Sequence, residues 1–102
     1  MQMITKQFTI GLLDKDTHTQ LIDTSKAMRL ITDLVIKYFW YGTIYNASGI
    51  YTHNDWTLVI EPSVKVEVLT DKSHSWFVSE IKTTLNQESV MYQEMQVKTD
   101  FL

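Results

Sequence analysis

Alternating apolar and polar residues begin the chain. From residue 4 to residue 12, the positions of one parity are mostly apolar: Ile4, Phe8, Ile10 and Leu12. The positions between them carry threonine, glutamine and glycine. This two-residue period is typical of a strand with one buried face, so we predict a first strand from Ile4 to Leu12. The polar stretch from Asp14 to Gln20 then predicts a loop.

A spacing of three and four residues between apolar positions follows the loop. The apolar stripe consists of Ala27, Leu30, Ile31, Leu34 and Tyr38. A stripe at this spacing predicts an amphipathic helix that covers a sheet. We expect Thr24 to be its N-cap and the helix to run to about Phe39. Gly42 is expected to supply the positive φ that ends the helix.

The next segment has the composition of a β-hairpin. Residues 43 to 51 are rich in β-branched and aromatic side chains, and His53, Asn54 and Asp55 supply turn chemistry. Extended structure is expected to resume at Thr57 and to continue through the alternating VKVEV run. Pro62 cannot donate to a ladder, so it predicts a bulge or an edge within this strand.

A second helix and a last strand complete the pattern. Asp71 or Ser73 is a candidate cap for a helix whose apolar stripe includes Phe77, Ile81 and Leu85. The segment from residue 89 to residue 102 alternates loosely, as an edge-pairing strand does. The order βαββαβ predicts an α+β, ferredoxin-like fold, in which an antiparallel four-stranded sheet carries both helices on one face. We expect one such domain over residues 1–102.

The sheet face without helices predicts self-association. The sequence has more apolar surface than one layer of two helices can cover. The residues in excess are Tyr45, Tyr51, Leu69, Met91, Tyr92 and Met95. Because a large apolar patch is rarely left in water, we expect a homo-oligomer, a dimer or a trimer, formed through this face or its edges.

Composition limits the kinds of partner. The chain has no cysteine, its three histidines lack metal-ligand spacing, and its net charge is −3 with a single arginine. We therefore expect no metal, no cofactor and no long nucleic acid. No apolar run approaches the ~20 residues of a membrane span, and no secretory signal is evident, so we expect a cytoplasmic protein. Scarce arginine, proline, alanine and glycine suggest an AT-rich genome, such as that of a phage or a low-GC bacterium.

The stretch from Tyr41 to Thr99 resembles PII-like proteins. YGTIYNASGIY, a hairpin, EPSVKVEVLTD and an amphipathic helix are similar in order and spacing to the second half of that family. The matching positions are Gly49, Val64, Val66, Glu67 and Val68. The resemblance implies a trimer of ferredoxin-like subunits that binds nucleotides or cyclic dinucleotides in clefts between subunits. The chain lacks the family's basic, Arg-Gly-rich phosphate-binding run, and its excursion after the second strand is short.

The candidate ligand site lies at the hairpin. We expect a flat ligand or a partner side chain to stack on the aromatic rings and to bond an amide, using Tyr51, His53, Asn54, Trp56 and Tyr45. In the alternative structural interpretation, the Trp56 ring folds back on the hairpin or packs against Trp40 and Tyr41.

No residue pattern indicates a nucleophile or a catalytic dyad. His53 and Asp55 are two residues apart on a turn, and Glu61 and Glu67 flank Lys65 as a charge pair would. The sequence thus favours a non-enzymatic regulatory or sequestering protein that binds a small aromatic or nucleotide-like ligand. The alternative is a protein-interaction module, such as a phage or mobile-element inhibitor of a host complex. A small α+β-barrel enzyme with His18 or His53 as its base is the third hypothesis.

Overall fold

The predicted ferredoxin-like architecture is confirmed by a computed structural model, which describes residues 3 to 102. Its elements are β1 (Met3–Gly11), α1 (Thr24–Phe39), β2 (Thr43–Thr52), β3 (Leu58–Leu69), α2 (Ser75–Thr84) and β4 (Met91–Val97). The strands form one sheet in the order β2-β3-β1-β4, and every neighbouring pair is antiparallel. Within residues 3 to 102, no helix is long and apolar enough to cross a membrane.

The register sorts the sheet residues onto two faces. Phe8 of β1 lies opposite Val66 of β3 and Tyr92 of β4, and Ile10 lies opposite Val64. Directly opposed residues of antiparallel strands project to the same side, so these side chains share the face that the helices cover. The residues between them belong to the other side, which we call the open face.

Three phenylalanines form the centre of the core between sheet and helices. The ring centroid of Phe77 lies 4.9 Å from that of Phe8 and 5.1 Å from that of Phe39. All three side chains are buried, as are Ile31 of α1 and Ile81 of α2. Edge-on aromatic pairs at these distances stabilise a core beyond the area that they bury.

The ends of α1 differ from the sequence-based expectation. The N-cap is Asp23, whose carboxylate accepts a hydrogen bond from the Lys26 amide at 2.9 Å, while Thr24 is the first helical residue. At the other end Trp40, and not Gly42, adopts the left-handed conformation, with φ of 73°. Gly42 serves packing instead, because a Cβ there would lie 2.9 Å from methyl groups of Val35 and Val68.

The second helix begins without a side-chain cap. Its N-cap residue is His74, whereas the Ser73 hydroxyl accepts a hydrogen bond from the Ser75 amide at 3.3 Å. The predicted caps, Asp71 and Ser73, therefore lie before the helix rather than at its N-cap. Lys37 of α1 contacts Glu80 of α2 at 2.7 Å and joins the two helices.

Beyond the end of β1, the β2–β3 hairpin continues as a two-stranded arm. Gly11 pairs with Ser63, and residues 58 to 62 of β3 pair in the sheet with β2 alone. The register through Pro62 is regular, so the predicted bulge is absent, and the residue sits where one side of β3 is locally an edge. Ile50, Leu58 and Ile60 of the arm are exposed.

The open face is mixed rather than uniformly apolar. Tyr45, Leu69, Met91 and Met95 lie on it as predicted, in register with Lys65, Thr5 and Thr9. Tyr92 does not, because its opposition to Phe8 turns it toward the helices, where it stacks on His74.

Candidate functional site

The open face contains a cleft of about 390 Å³ where β1 ends and the arm begins. Its walls come from the end of β1, the β1–α1 loop, the base of the arm and the α2–β4 loop. Gly11, His18, Tyr51, Glu61 and Met91 are among the lining residues. Most of its lining side chains are polar or charged, so the cleft suits a polar or charged ligand rather than a purely apolar one.

Side-chain hydrogen bonds hold the loops of the cleft in place. The Asp14 carboxylate accepts from the amides of Asp16 and Thr17 and from the side-chain nitrogen of Asn86 at 2.8 Å. The bond from Asn86, more than the others, lowers the pKa of Asp14. Gln87 donates to the carbonyl of Leu13 at 2.8 Å. The α2–β4 loop is thus tied to the β1–α1 loop.

Glu61 is the anionic group at the base of the arm. Its Oε2 atom accepts a hydrogen bond from the Leu13 amide at 3.0 Å, and its side chain is half-buried. In the described part of the chain the one ion pair joins Lys37 and Glu80. Lys15 and His18 line the same cleft but form no ion pair with Glu61. The expected charge pair with Lys65 does not form. A carboxylate without a cationic partner inside a cleft is suited to bind a positively charged ligand.

Tyr51 supplies the aromatic surface of the cleft. Its ring is 44% exposed and packs edge-on against His53, with centroids 5.6 Å apart. A tyrosine held in this way offers a face on which a planar ligand can stack. The predicted residues Tyr51 and His53 are therefore brought together.

The remaining predicted residues lie elsewhere. Tyr45 is farther along the open face, where Glu67 Oε1 accepts hydrogen bonds from Gln7 at 2.8 Å and from the Tyr45 hydroxyl at 2.9 Å. This carboxylate raises the pKa of Tyr45, because it accepts the phenol proton and opposes a second negative charge. Glu67 thus pairs with neutral groups rather than with Lys65.

Asn54 and Trp56 lie at the tip of the arm and do not line the cleft. The Trp56 ring is 84% exposed, so it neither folds back on the hairpin nor packs against Trp40 and Tyr41. Its backbone has φ of 66° and its amide donates to the His53 carbonyl at 2.9 Å. Trp56 therefore occupies the left-handed position that glycine usually takes in such a hairpin turn.

Sequence reasoning missed Gly11 and assigned Glu61 to a charge pair with Lys65. A glycine inside a strand pattern is a signal of close approach by another group, and Gly11 carries that signal. His18 was considered only as the base of a barrel enzyme, and it does line the cleft, with φ of 59°.

Among residues 3 to 102, no group of three or more histidine, aspartate or glutamate side chains could hold a metal ion. A smaller cavity of about 220 Å³ lies near the cleft and is walled largely by Leu12, Leu21, Ile22 and Leu85. It lacks an aromatic ring, and the Asp14 carboxylate at its wall is already hydrogen-bonded. The cleft beside Glu61 is the better candidate site.

Two solved structures of a phage SAM lyase are similar to this chain. The apo state aligns over 93% of this chain and 81% of that chain, with a TM-score of 0.65 and 19% sequence identity. The complex with S-methyl-5′-thioadenosine aligns over 92% of this chain and 81% of that chain, with a TM-score of 0.60 and 19% identity. No protein-family model and no curated protein matches the sequence.

The protein in both of these structures is an enzyme. This finding overturns the expectation of a non-enzymatic regulatory or sequestering protein. The alternative of a protein-interaction module gains no support from these structures. The expectation rested on the absence of a nucleophile or dyad, and that absence does not exclude an enzyme. The resemblance to PII-like proteins stays a prediction.

Proposed function

We propose that this chain is a lyase that cleaves S-adenosylmethionine (SAM), or a closely related sulfonium nucleoside, and releases S-methyl-5′-thioadenosine. The observation that carries the proposal is the Glu61 carboxylate, which forms no ion pair and lines the same cleft as Tyr51, in a fold shared with a phage SAM lyase. The nucleotide-like ligand expected from the sequence is of this chemical kind.

The reaction needs no nucleophile from the protein. The bond between sulfur and the γ-carbon of the aminobutyrate group breaks, and its electron pair moves to sulfur, which changes from a cationic sulfonium to a neutral thioether. The four-carbon fragment is completed in one of two ways. Its own carboxylate oxygen bonds to the γ-carbon and gives a lactone, or a β-proton leaves to a base and gives an alkene. Both routes balance without water, metal or oxidant.

Glu61 serves as the group that binds the positive charge of the substrate. Two unit charges 4 Å apart attract by about 1 kcal/mol in water and about 4 kcal/mol at an effective dielectric constant near 20. The carboxylate faces an open cleft, so the lower part of this range applies. Because the positive charge on sulfur disappears during the reaction, this attraction contributes to substrate affinity rather than to the chemical step.

Tyr51 serves as the stacking surface for the adenine ring. Stacking of a base on an aromatic side chain contributes about 1 to 3 kcal/mol and needs no positive charge on the protein. This suits a chain with a net charge of −3 and a ligand that carries no phosphate. Rate acceleration then comes from holding the aminobutyrate chain in a reactive conformation, an effect of proximity and orientation.

Self-association belongs to the same proposal. No helix layer covers the open face, and Met91, Met95 and Tyr45 are exposed on it. A second and a third copy of the chain are the proposed partners, and burial of these open-face side chains between copies would enclose the cleft more fully.

The test is a product assay. Purified protein is incubated with SAM, and S-methyl-5′-thioadenosine is measured by liquid chromatography and mass spectrometry against a protein-free blank. We expect release above the blank, an increase of about fivefold or more in KM for Glu61→Gln and for Tyr51→Ala, and no change for Asp33→Asn, which removes an exposed carboxylate on α1. The fragment found, lactone or alkene, identifies the route. Release equal to the blank, or insensitive to Glu61→Gln, contradicts the proposal.

A further inference from the structure

Gly11, the last residue of β1, has no conformational reason to be glycine. Among residues 3 to 102, no glycine has a positive φ, so the backbone at Gly11 is one that other residues adopt readily. Glycine within a strand is weakly unfavourable because it loses more conformational freedom on folding than any other residue. Another requirement must therefore account for it.

The carboxylate of Glu61 provides that requirement. A Cβ atom on Gly11 would lie 2.4 Å from Oε2, 2.6 Å from Cδ and 2.7 Å from Oε1 of Glu61. The whole carboxylate thus fills the space that any larger residue at position 11 would need. The Leu13 amide, two residues farther along the chain, donates to the same Oε2 at 3.0 Å.

We infer that Gly11 is a positioning residue for Glu61, and that it sets the preference of the cleft for cationic over neutral ligands. A side chain at position 11 would push the carboxylate off the end of β1 and away from the Leu13 amide. The carboxylate is the far end of a flexible side chain, so it can turn toward solvent while the backbone stays in place. The fold therefore survives the change, whereas the fixed negative charge in the cleft is lost.

The substrate preference rests on the proposed function. A sulfonium such as SAM carries a positive charge that the neutral thioether S-methyl-5′-thioadenosine lacks. A fixed carboxylate therefore favours the substrate over the product, which helps the product to leave. Without Gly11 the carboxylate is mobile and hydrated, and the two ligands should bind more equally.

The other glycines supply matched controls. Gly49 of β2 lies directly opposite Glu61 in the ladder, and a Cβ there would meet the Ser63 hydroxyl oxygen at an ordinary 3.5 Å. Gly49→Ala thus adds the same methyl group on the same face, next to the same glutamate, without displacing the carboxylate. Gly42 is unsuitable as a control because its Cβ would clash with core valines.

The positioning is tested by nuclear magnetic resonance without any ligand. In the unchanged protein, the Leu13 amide should be protected from exchange with solvent, because it donates to the Glu61 carboxylate. We expect this protection to be lost in Glu61→Ala and in Gly11→Ala, and to persist in Gly49→Ala. Unaltered protection of the Leu13 amide in Gly11→Ala would overturn the inference. If Gly11→Ala does not fold, Gly11→Ala/Glu61→Ala should restore folding, and failure to do so would overturn it too.

The ligand preference is tested by isothermal titration with SAM and with S-methyl-5′-thioadenosine. We expect Gly11→Ala to decrease the ratio of the two affinities at least fivefold, whereas Gly49→Ala leaves it unchanged. An unchanged ratio in Gly11→Ala contradicts the role in ligand preference. Failure of the product assay would reject the lyase function, while protection of the Leu13 amide would still decide whether Gly11 positions Glu61.

Discussion

The imidazole of His74 stacks on the phenol ring of Tyr92, with ring centroids 4.1 Å apart and an interplanar angle of 23°. Lys6 of β1 also contacts the imidazole, with its buried ammonium 3.2 Å from Nδ1 of His74 and donating to the carbonyl of Lys72. The Tyr92 hydroxyl donates to Glu94, and burial together with this carboxylate raises the pKa of Tyr92 to about 12. The loop before α2 is thus attached to β1 and β4.

This cluster predicts loss of stability in mild acid. Burial, and then the neighbouring Lys6 charge, lower the pKa of His74 below its ordinary 6.5, and Glu94 opposes this only in part. The unfolded chain therefore binds a proton more readily than the folded one as the pH falls below about 6.5, and the free energy of unfolding decreases. Above that pH the contribution is constant.

Thermal melts between pH 7.5 and pH 5 measure this dependence. We expect Tm to fall with pH in the unchanged protein and to fall less in His74→Phe, which keeps a ring on Tyr92 without a titrating group. His53→Gln, a change on the exposed arm, is the control. If Tm falls with pH equally in His74→Phe and in the unchanged protein, another titrating group causes the loss of stability in acid.

Phe77 should contribute as much to the free energy of unfolding as a single core side chain can. It is fully buried and contacts Phe8 and Phe39, so Phe77→Ala leaves a cavity in the centre of the core. We expect a loss of about 3 to 5 kcal/mol, measured by urea unfolding monitored by circular dichroism. Trp76→Ala, at a neighbouring but exposed position of α2, should stay within about 0.5 kcal/mol.

At the tip of the arm, replacing Trp56 by glycine should not destabilise the protein and can stabilise it. Trp56 holds a left-handed backbone conformation that costs a residue with a Cβ about 1 to 2 kcal/mol, and its exposed ring gains little from packing. Trp56→Gly should therefore leave Tm unchanged or raise it, while Trp56→Ala should change it little. A marked decrease in Tm for either variant would show that the ring packs on the arm.

Self-association can be measured by size-exclusion chromatography with light scattering. We expect a dimer or a trimer at tens of micromolar protein, and a shift toward monomer for Met95→Lys, which places a charge on the open face opposite Thr5. Ile36→Lys, on the exposed side of α1, should leave the mass unchanged. A strict monomer in the unchanged protein would reject this prediction.

Periodicity was sufficient to predict the fold. The alternation around Phe8 and the stripe around Ile31 report which face each element buries, and burial decides the architecture. Boundaries and caps were less accurate, because Thr24 and Asp23 are both good caps and only the geometry selects between them. Tyr92 was misplaced because a loose alternation leaves the register of β4 undetermined until it pairs with β1.

The site could be predicted only in part. Tyr51 and His53 are close in sequence and thus remain close in the hairpin. The contact between Glu61 and Gly11 spans 50 positions and depends on how far β3 extends past β1, which no local pattern reports. The proposed chemistry leaves no motif for another reason, since a sulfonium substrate would bring its own leaving group and need no nucleophile from the protein.

The two-stranded arm has a consequence for how the molecule responds to its ligand. Past Gly11 the arm is a two-stranded ladder, joined to the rest of the fold at its base by the bonds from Leu12 to Pro62 and from Leu13 to Glu61. Its amides should therefore exchange with solvent sooner than those of the central strands. Tyr51 and Glu61 lie on this arm. Occupancy of the cleft should therefore slow hydrogen exchange in the arm, and the degree of slowing would report affinity without any assay of turnover.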